Sequence, residues 1–132
     1  MTRDEVKGVM ERMFTMCMRT REDGQAEYAH DLDNAFANFE RVGKYLREDR
    51  KKVLMTYLLK HIDGITAAVN GHMSQREPVQ GRIMDAIVYL CLLEGMFEEE
   101  SALIQQSSAK SAQAHGIAAD LRNAALQGMN PR

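Results

Sequence analysis

PVQGRIMDAIVYLCLLEGMFE, residues 78–98, decides the fold. Ile83, Met84, Ala86, Ile87, Val88, Tyr89, Leu90, Cys91, Leu92 and Leu93 fall on every side of a helix axis. A helix apolar all round belongs at the centre of a bundle or in an interface between copies. Pro78 suits its first turn, where a missing N–H costs little, and the Glu98-Glu99-Glu100 run marks its return to water.

Three further helices precede it. The first, about residues 2–21, opens with Thr2 and Glu5 in capping-box spacing, carries Val6, Met10, Met13, Phe14 and Cys17 on one face, and stops at Glu22-Asp23-Gly24. A connector over residues 25–32 leads to a second helix that Asp31 or Asp33 can cap, with Phe36, Phe39, Val42, Gly43 and Leu46 on its stripe. Asp49 caps a third, about residues 50–69, whose inner side holds Leu54, Tyr57, Leu58, His61, Ile62, Ile65 and Ala68, and Asn70-Gly71 closes it through a left-handed residue. Residues 101–126, rich in Ala, Ser and Gln with sparse Leu103, Ile104, Ile117, Leu121 and Leu126, read as a fifth, weakly packed helix broken near His115-Gly116. No segment alternates apolar with polar residues in the manner of a strand. The expected class is all-α: a helical bundle of four core helices plus a C-terminal Ala-rich helix. One domain covers residues 1–126, and residues 127–132 are expected to fray.

Composition narrows the functions. In 132 residues, 17 Lys+Arg stand against 19 Asp+Glu, a formal net charge of −2 without the concentrated positive field that phosphate backbones need. That argues against nucleic acid as a partner. Cys17 and Cys91 form no metal-ligand spacing and read as two small buried thiols in a reducing compartment. The opening Met1-Thr-Arg-Asp-Glu-Val carries early acids and no apolar leader, and no apolar run reaches the roughly 18 residues of a membrane span. A cytoplasmic protein is expected, with no membrane partner.

Chemistry concentrates between Lys60 and Tyr89. His61 falls within the apolar sector of the third helix, as a core histidine or as a ligand contact; Lys60 lies on the flank of that sector, and Asp63 points to the opposite side. Asp85 opens the all-round apolar run, where an isolated charge is very costly, so it must be paired, hydrated or bound to a cation. Two readings stand for it: an internal pair with Arg82, three residues earlier, or a place beside Glu77 in a cleft shared with Lys60 and His61. Ser74-x-x-Glu77 could instead be a capping box. No Gly-rich phosphate loop and no nucleophile elbow is found.

The order of residues from Tyr28 to Leu93 resembles small phage-encoded helical proteins related to the nucleotide modification associated family and, more distantly, the MazG-like all-α nucleotide pyrophosphohydrolases. The segments that carry the resemblance are Glu27-Tyr28-Ala29, Asn34 to Gly43 with Asn38 at its centre, Lys60-His61-Ile62-Asp63, and Arg76 to Leu90 with Glu77, Arg82, Asp85 and Tyr89. The resemblance implies a four-helix core with a cleft for a nucleotide or nucleotide-derived molecule, contacted by Asn38, Lys60, His61, Asp63, Glu77, Arg82 and Asp85. It also implies a divalent ion, Mg²⁺, on Glu77 and Asp85. In the pyrophosphohydrolases paired acids on two helices hold the metal. Here Asp63 has no second acid a turn away, and Arg82 stands where the first acid of the later pair would be, leaving few hard oxygen ligands. A nucleotide-binding protein of the host cytoplasm is therefore expected first. A divergent Mg²⁺-dependent nucleoside phosphate hydrolase is the enzymatic alternative, and a module that inhibits a host protein the third reading.

An apolar helix that four neighbours from so short a chain cannot cover is expected to pack against another copy. Light scattering at micromolar concentration checks this: a homo-oligomer is expected, and a monomer contradicts it.

Overall fold

The computed structural model describes residues 1–29, 31, 33–72 and 77–128, with side chains to residue 123. Among these the chain is an all-α bundle without a strand: α1 (Arg3–Gly24), a π-helical turn (Gln25–Ala29), α2 (Ala37–Leu46), α3 (Arg50–Val69) and α4 (Val79–Gly128). No helix among the described residues is long and apolar enough to cross a membrane. Two units are distinguished, Met1–Met96 and Phe97–Arg132.

Local chemistry explains most of the helix ends. The capping box forms as the sequence implies, Glu5 N donating to Thr2 Oγ1 at 3.2 Å and Thr2 N to the Glu5 carboxylate at 2.6 Å. Asp49 Oδ1 accepts from Lys51 N at 2.7 Å and starts α3, and Gly71, with φ at 84°, follows its end. The start of α2 differs from expectation. Phe36 occupies the N-cap without a side-chain hydrogen bond. Asp31 is spent one step earlier, on the amides of Asp33 and Asn34, while Asn34 Oδ1 takes the Phe36 amide at 2.8 Å. A chain of short Asx-type turns thus replaces a cap. The expected connector begins as one wide π turn, and His30 and Leu32 lie outside the described residues, as do Ser74 and Arg76.

The first unit packs around Leu54 and Met96, both with no exposed surface, together with Phe39 and Val53. Phe36, Val42, Tyr57, Tyr89, Leu92 and Leu93 pack against this cluster. α2 turns back onto α3 through Arg47, left-handed at φ 58°, and Gly43 makes the close approach possible, since a Cβ there would meet the Glu48 carbonyl at 2.7 Å. Arg50 fastens the joint: it pairs with Glu40 at 2.8 Å and lies 5.0 Å from the centre of the Phe36 ring.

Several expected faces are turned. Of the α1 stripe, Met13 and Cys17 point inward, but Val6, Met10 and Phe14 are exposed, and the inner side continues instead through Thr20, Arg21 and Gly24. On α3, Ile62 is exposed while Val53 is buried. α4 is covered less completely than an all-round apolar helix suggests, because Ile83, Leu90 and Cys91 reach the surface. Only one of the two thiols, Cys17, is buried; its Sγ approaches the Met84 carbonyl at 3.7 Å.

In the second unit the separate fifth helix does not exist. α4 runs unbroken through Gly116 as far as Gly128, so Gln127 and Gly128, expected to fray, are helical; residues 129–132 lie outside the description. One glycine costs a helix about 1 kcal/mol, too little to break a run of strong helix formers such as Ala, Gln and Leu. Every described side chain from Ser101 to Asn123 is exposed, Leu103, Ile104, Ile117 and Leu121 included.

Replacing Leu54 by Ala should cost about 2–5 kcal/mol of stability, since it empties a site with no exposed surface. Thr56→Ala, at an exposed position on the same helix, should change it by no more than about 0.5 kcal/mol. Urea unfolding followed by circular dichroism checks both, and equal effects would contradict this description of the core.

Candidate functional site

The inner faces of α1, α2, α3 and α4 leave a cleft of about 660 Å³ within the first unit. Asn38, Lys60, His61, Glu77 and Asp85 line it, so five of the seven residues singled out in the sequence converge. Asp63 is exposed on α3 and Arg82 packs against Gly64; neither is part of the cleft wall.

Each side chain arrives by helical register. His61 lies one turn beyond Tyr57 and Leu58 on the buried face of α3, which leaves the residue 7% exposed. Its ring sits 5.5 Å from that of Tyr89 on α4. Tyr89 in turn is nearly parallel to Tyr57, at 6.3 Å between centres, and meets Phe39 edge-on at 6.1 Å. These rings form the apolar wall. Asp85 stands one turn before Tyr89 and therefore opens into the same space.

The Arg82–Asp85 pair, one of the two readings from the sequence, does not form. Asp85 Oδ2 instead faces His61 Nδ1 at 3.4 Å, and Arg82 pairs with Glu77 at 3.7 Å. The arginine is drawn away because Gly64 offers no side chain: a Cβ there would fall 2.4 Å from the guanidinium. The His61 contact is not a hydrogen bond, and Nδ1, buried, has no hydrogen-bond partner among the described residues. Burial pushes the Asp85 carboxyl above the usual range; the adjacent Glu77, by charge and hydrogen bond, pushes the same way, while His61 and Lys60 oppose it. Burial and the Asp85 charge likewise raise the Tyr89 phenol.

The end of α1 and the π-helical turn after it supply a wall that sequence reasoning missed. Thr20, Arg21, Asp23, Gly24, Gln25, Glu27 and Tyr28 border the cleft. Arg21 is held there by Gln25 and by the Ala35 carbonyl at 3.1 Å, while Gln25 reaches the carbonyls of Asp31 and Asn34 and so ties the following segment to α1. Arg41 braces Asn38, donating to its side-chain oxygen at 3.3 Å and to the Tyr28 carbonyl at 3.1 Å. The spacing Cys17, Arg21, Gly24 places Arg21 in line with the buried thiol, the one signal that could have revealed it.

No family model matches the chain, and no curated protein or solved structure matches it.

The raised Asp85 carboxyl has a pH signature. An acid whose pKa is higher folded than unfolded binds more protons folded, so the stability it contributes at low pH is lost as pH rises through the folded value. Asp85→Asn removes that loss. In chelator-treated protein its melting temperature relative to the parent should rise between about pH 4 and pH 7, upward from the ordinary aspartate range. A difference that shrinks with rising pH contradicts the environment described.

Proposed function

We propose that the cleft binds a phosphorylated, nucleotide-like small molecule. The convergence of Asn38, Lys60, His61, Glu77 and Asp85 on one cavity carries this reading. Its volume lies within the roughly 300–1,000 Å³ of small-molecule sites, and it combines apolar rings with a few polar groups, as such sites do. Tyr57, Tyr89 and Phe39 offer aromatic surface to a base, Asn38 an amide able both to donate and to accept, and Lys60, exposed at the rim, a point charge for a phosphate. Asp85 and Glu77 would repel a bare phosphate, so the phosphorylated end belongs on the Lys60 side or behind a cation. The resemblance of residues 28–93 to phage-encoded nucleotide-modification proteins agrees with this reading and would imply work in a host cytoplasm. Hydrolysis of the bound nucleotide is the second reading. It is favoured by the one group of described residues able to hold a metal beside that ligand, His61, Glu77 and Asp85.

Titration calorimetry with a panel of nucleoside mono-, di- and triphosphates tests the proposal. Lys60→Ala should weaken the tightest of them about tenfold, the loss of one modest charge-assisted contact, with the melting temperature unchanged. Absence of binding by the unmutated protein, or an unchanged affinity in the variant, contradicts it.

A further inference from the structure

We infer that His61, Glu77 and Asp85 form a binding site for a first-row transition-metal dication of the zinc or manganese kind, and not for Mg²⁺. The site shares the cleft with the nucleotide reading but not its ligand, so it stands or falls separately.

One ligand atom from each of the three residues lies within 4.8 Å of the others. His61 Nδ1 and Asp85 Oδ2, at 3.4 Å, are already spaced as two corners of a tetrahedron with metal bonds of roughly 2.1 Å. The remaining distance closes by rotation of Glu77, whose side chain is 35% exposed and which stands just before α4 begins. The histidine needs no movement. Its ring is enclosed against Tyr89, and the nitrogen that faces the carboxylates is buried without a hydrogen bond among the described residues. A buried ring nitrogen without a hydrogen-bond partner is costly, and a cation bound between an unprotonated Nδ1 and Asp85 would satisfy it.

Charge points the same way. Two carboxylates share a partly buried space; Arg82, lying over Gly64, pairs with Glu77 at 3.7 Å but not with Asp85, and Lys60 is exposed. A dication would offset both acids at once. The donor set then selects the metal. Mg²⁺ requires near-octahedral oxygen ligands, whereas an imidazole nitrogen with two carboxylates suits zinc, manganese or iron(II). Three protein ligands leave at least one coordination position, open toward the cleft, for water or a ligand oxygen.

The experiment uses untagged full-length protein, stripped with EDTA and free of nucleotide, titrated separately with ZnCl₂, MnCl₂ and MgCl₂. Zn²⁺ or Mn²⁺ should bind at one site per chain and raise the melting temperature, while Mg²⁺ at millimolar concentration leaves it unchanged. Co²⁺ should give the visible absorption of a nitrogen- and oxygen-ligated ion. Asp85→Asn and Glu77→Gln, checked for native circular dichroism, should each weaken Zn²⁺ binding about 100-fold or more; His61→Gln should abolish the Co²⁺ spectrum. The inference is overturned by the absence of saturable binding, by affinity unchanged in the carboxylate variants, or by Mg²⁺ binding as tightly as Zn²⁺. Nucleotide binding by the EDTA-treated protein bears on the proposed ligand alone.

Discussion

The buried cluster that joins Leu54 of α3 and Met96 of α4 with Phe39 and Val53 is the constraint on which the first unit rests. Leu54 and Met96 are fully withdrawn from water, and few others in the unit approach that state. A bundle with so small an apolar centre gains its stability near one end, where Phe39 and Val53 complete the cluster. Tyr57 and Tyr89 are the next residues along α3 and α4 to face one another, and they form the transition from close packing to the open cleft. The rings belong to both: their edges and faces pack on Phe39, and their far sides border the polar residues.

Beyond the tyrosines the balance of forces reverses. His61 and Asp85 occupy register positions that would extend the apolar core by another turn, yet they carry an imidazole and a carboxylate whose burial is unfavourable without strong partners. Arg82, the arginine that could neutralise Asp85 locally, is drawn to Gly64 and Glu77. The polar cluster is thus incompletely satisfied within the described residues, in contrast to the Asn34–Glu40–Arg50 joint, where every charge has a partner at short distance. Stability selects arrangements like that joint. Incomplete satisfaction is typical of residues kept for what they bind.

Much of this was legible in the sequence because helices report their faces. The capping box, the Asp49 cap and the Leu54, Leu58 and His61 stripe of α3 follow from residue type and spacing alone. The convergence of Lys60 and His61 with Asp85 is one of the two readings that the spacing allows, the other being the pair with Arg82. Tertiary competition was invisible. The Val6–Met10–Phe14 stripe looked like a core face, but α1 turns Thr20, Arg21 and Gly24 inward to line the cleft, and its apolar residues are displaced to the surface. The Arg82–Asp85 spacing satisfied the local rule, but the space left by Gly64, eighteen positions earlier in the chain, and the pair with Glu77 hold the arginine elsewhere. The continuity of α4 through Gly116 was missed for the opposite reason, a weak local signal read as a break.

Nuclear magnetic resonance of uniformly ¹⁵N-labelled protein titrated with a nucleoside triphosphate measures most directly whether the cleft is where the molecule meets its ligand. Amide shifts should concentrate at residues 20–29, at Asn38 and Phe39, at residues 57–61 and at residues 85–92, with the second unit silent. Shifts confined to the exposed residues of α4 beyond Met96, or spread evenly over the surface, would contradict binding in the cleft.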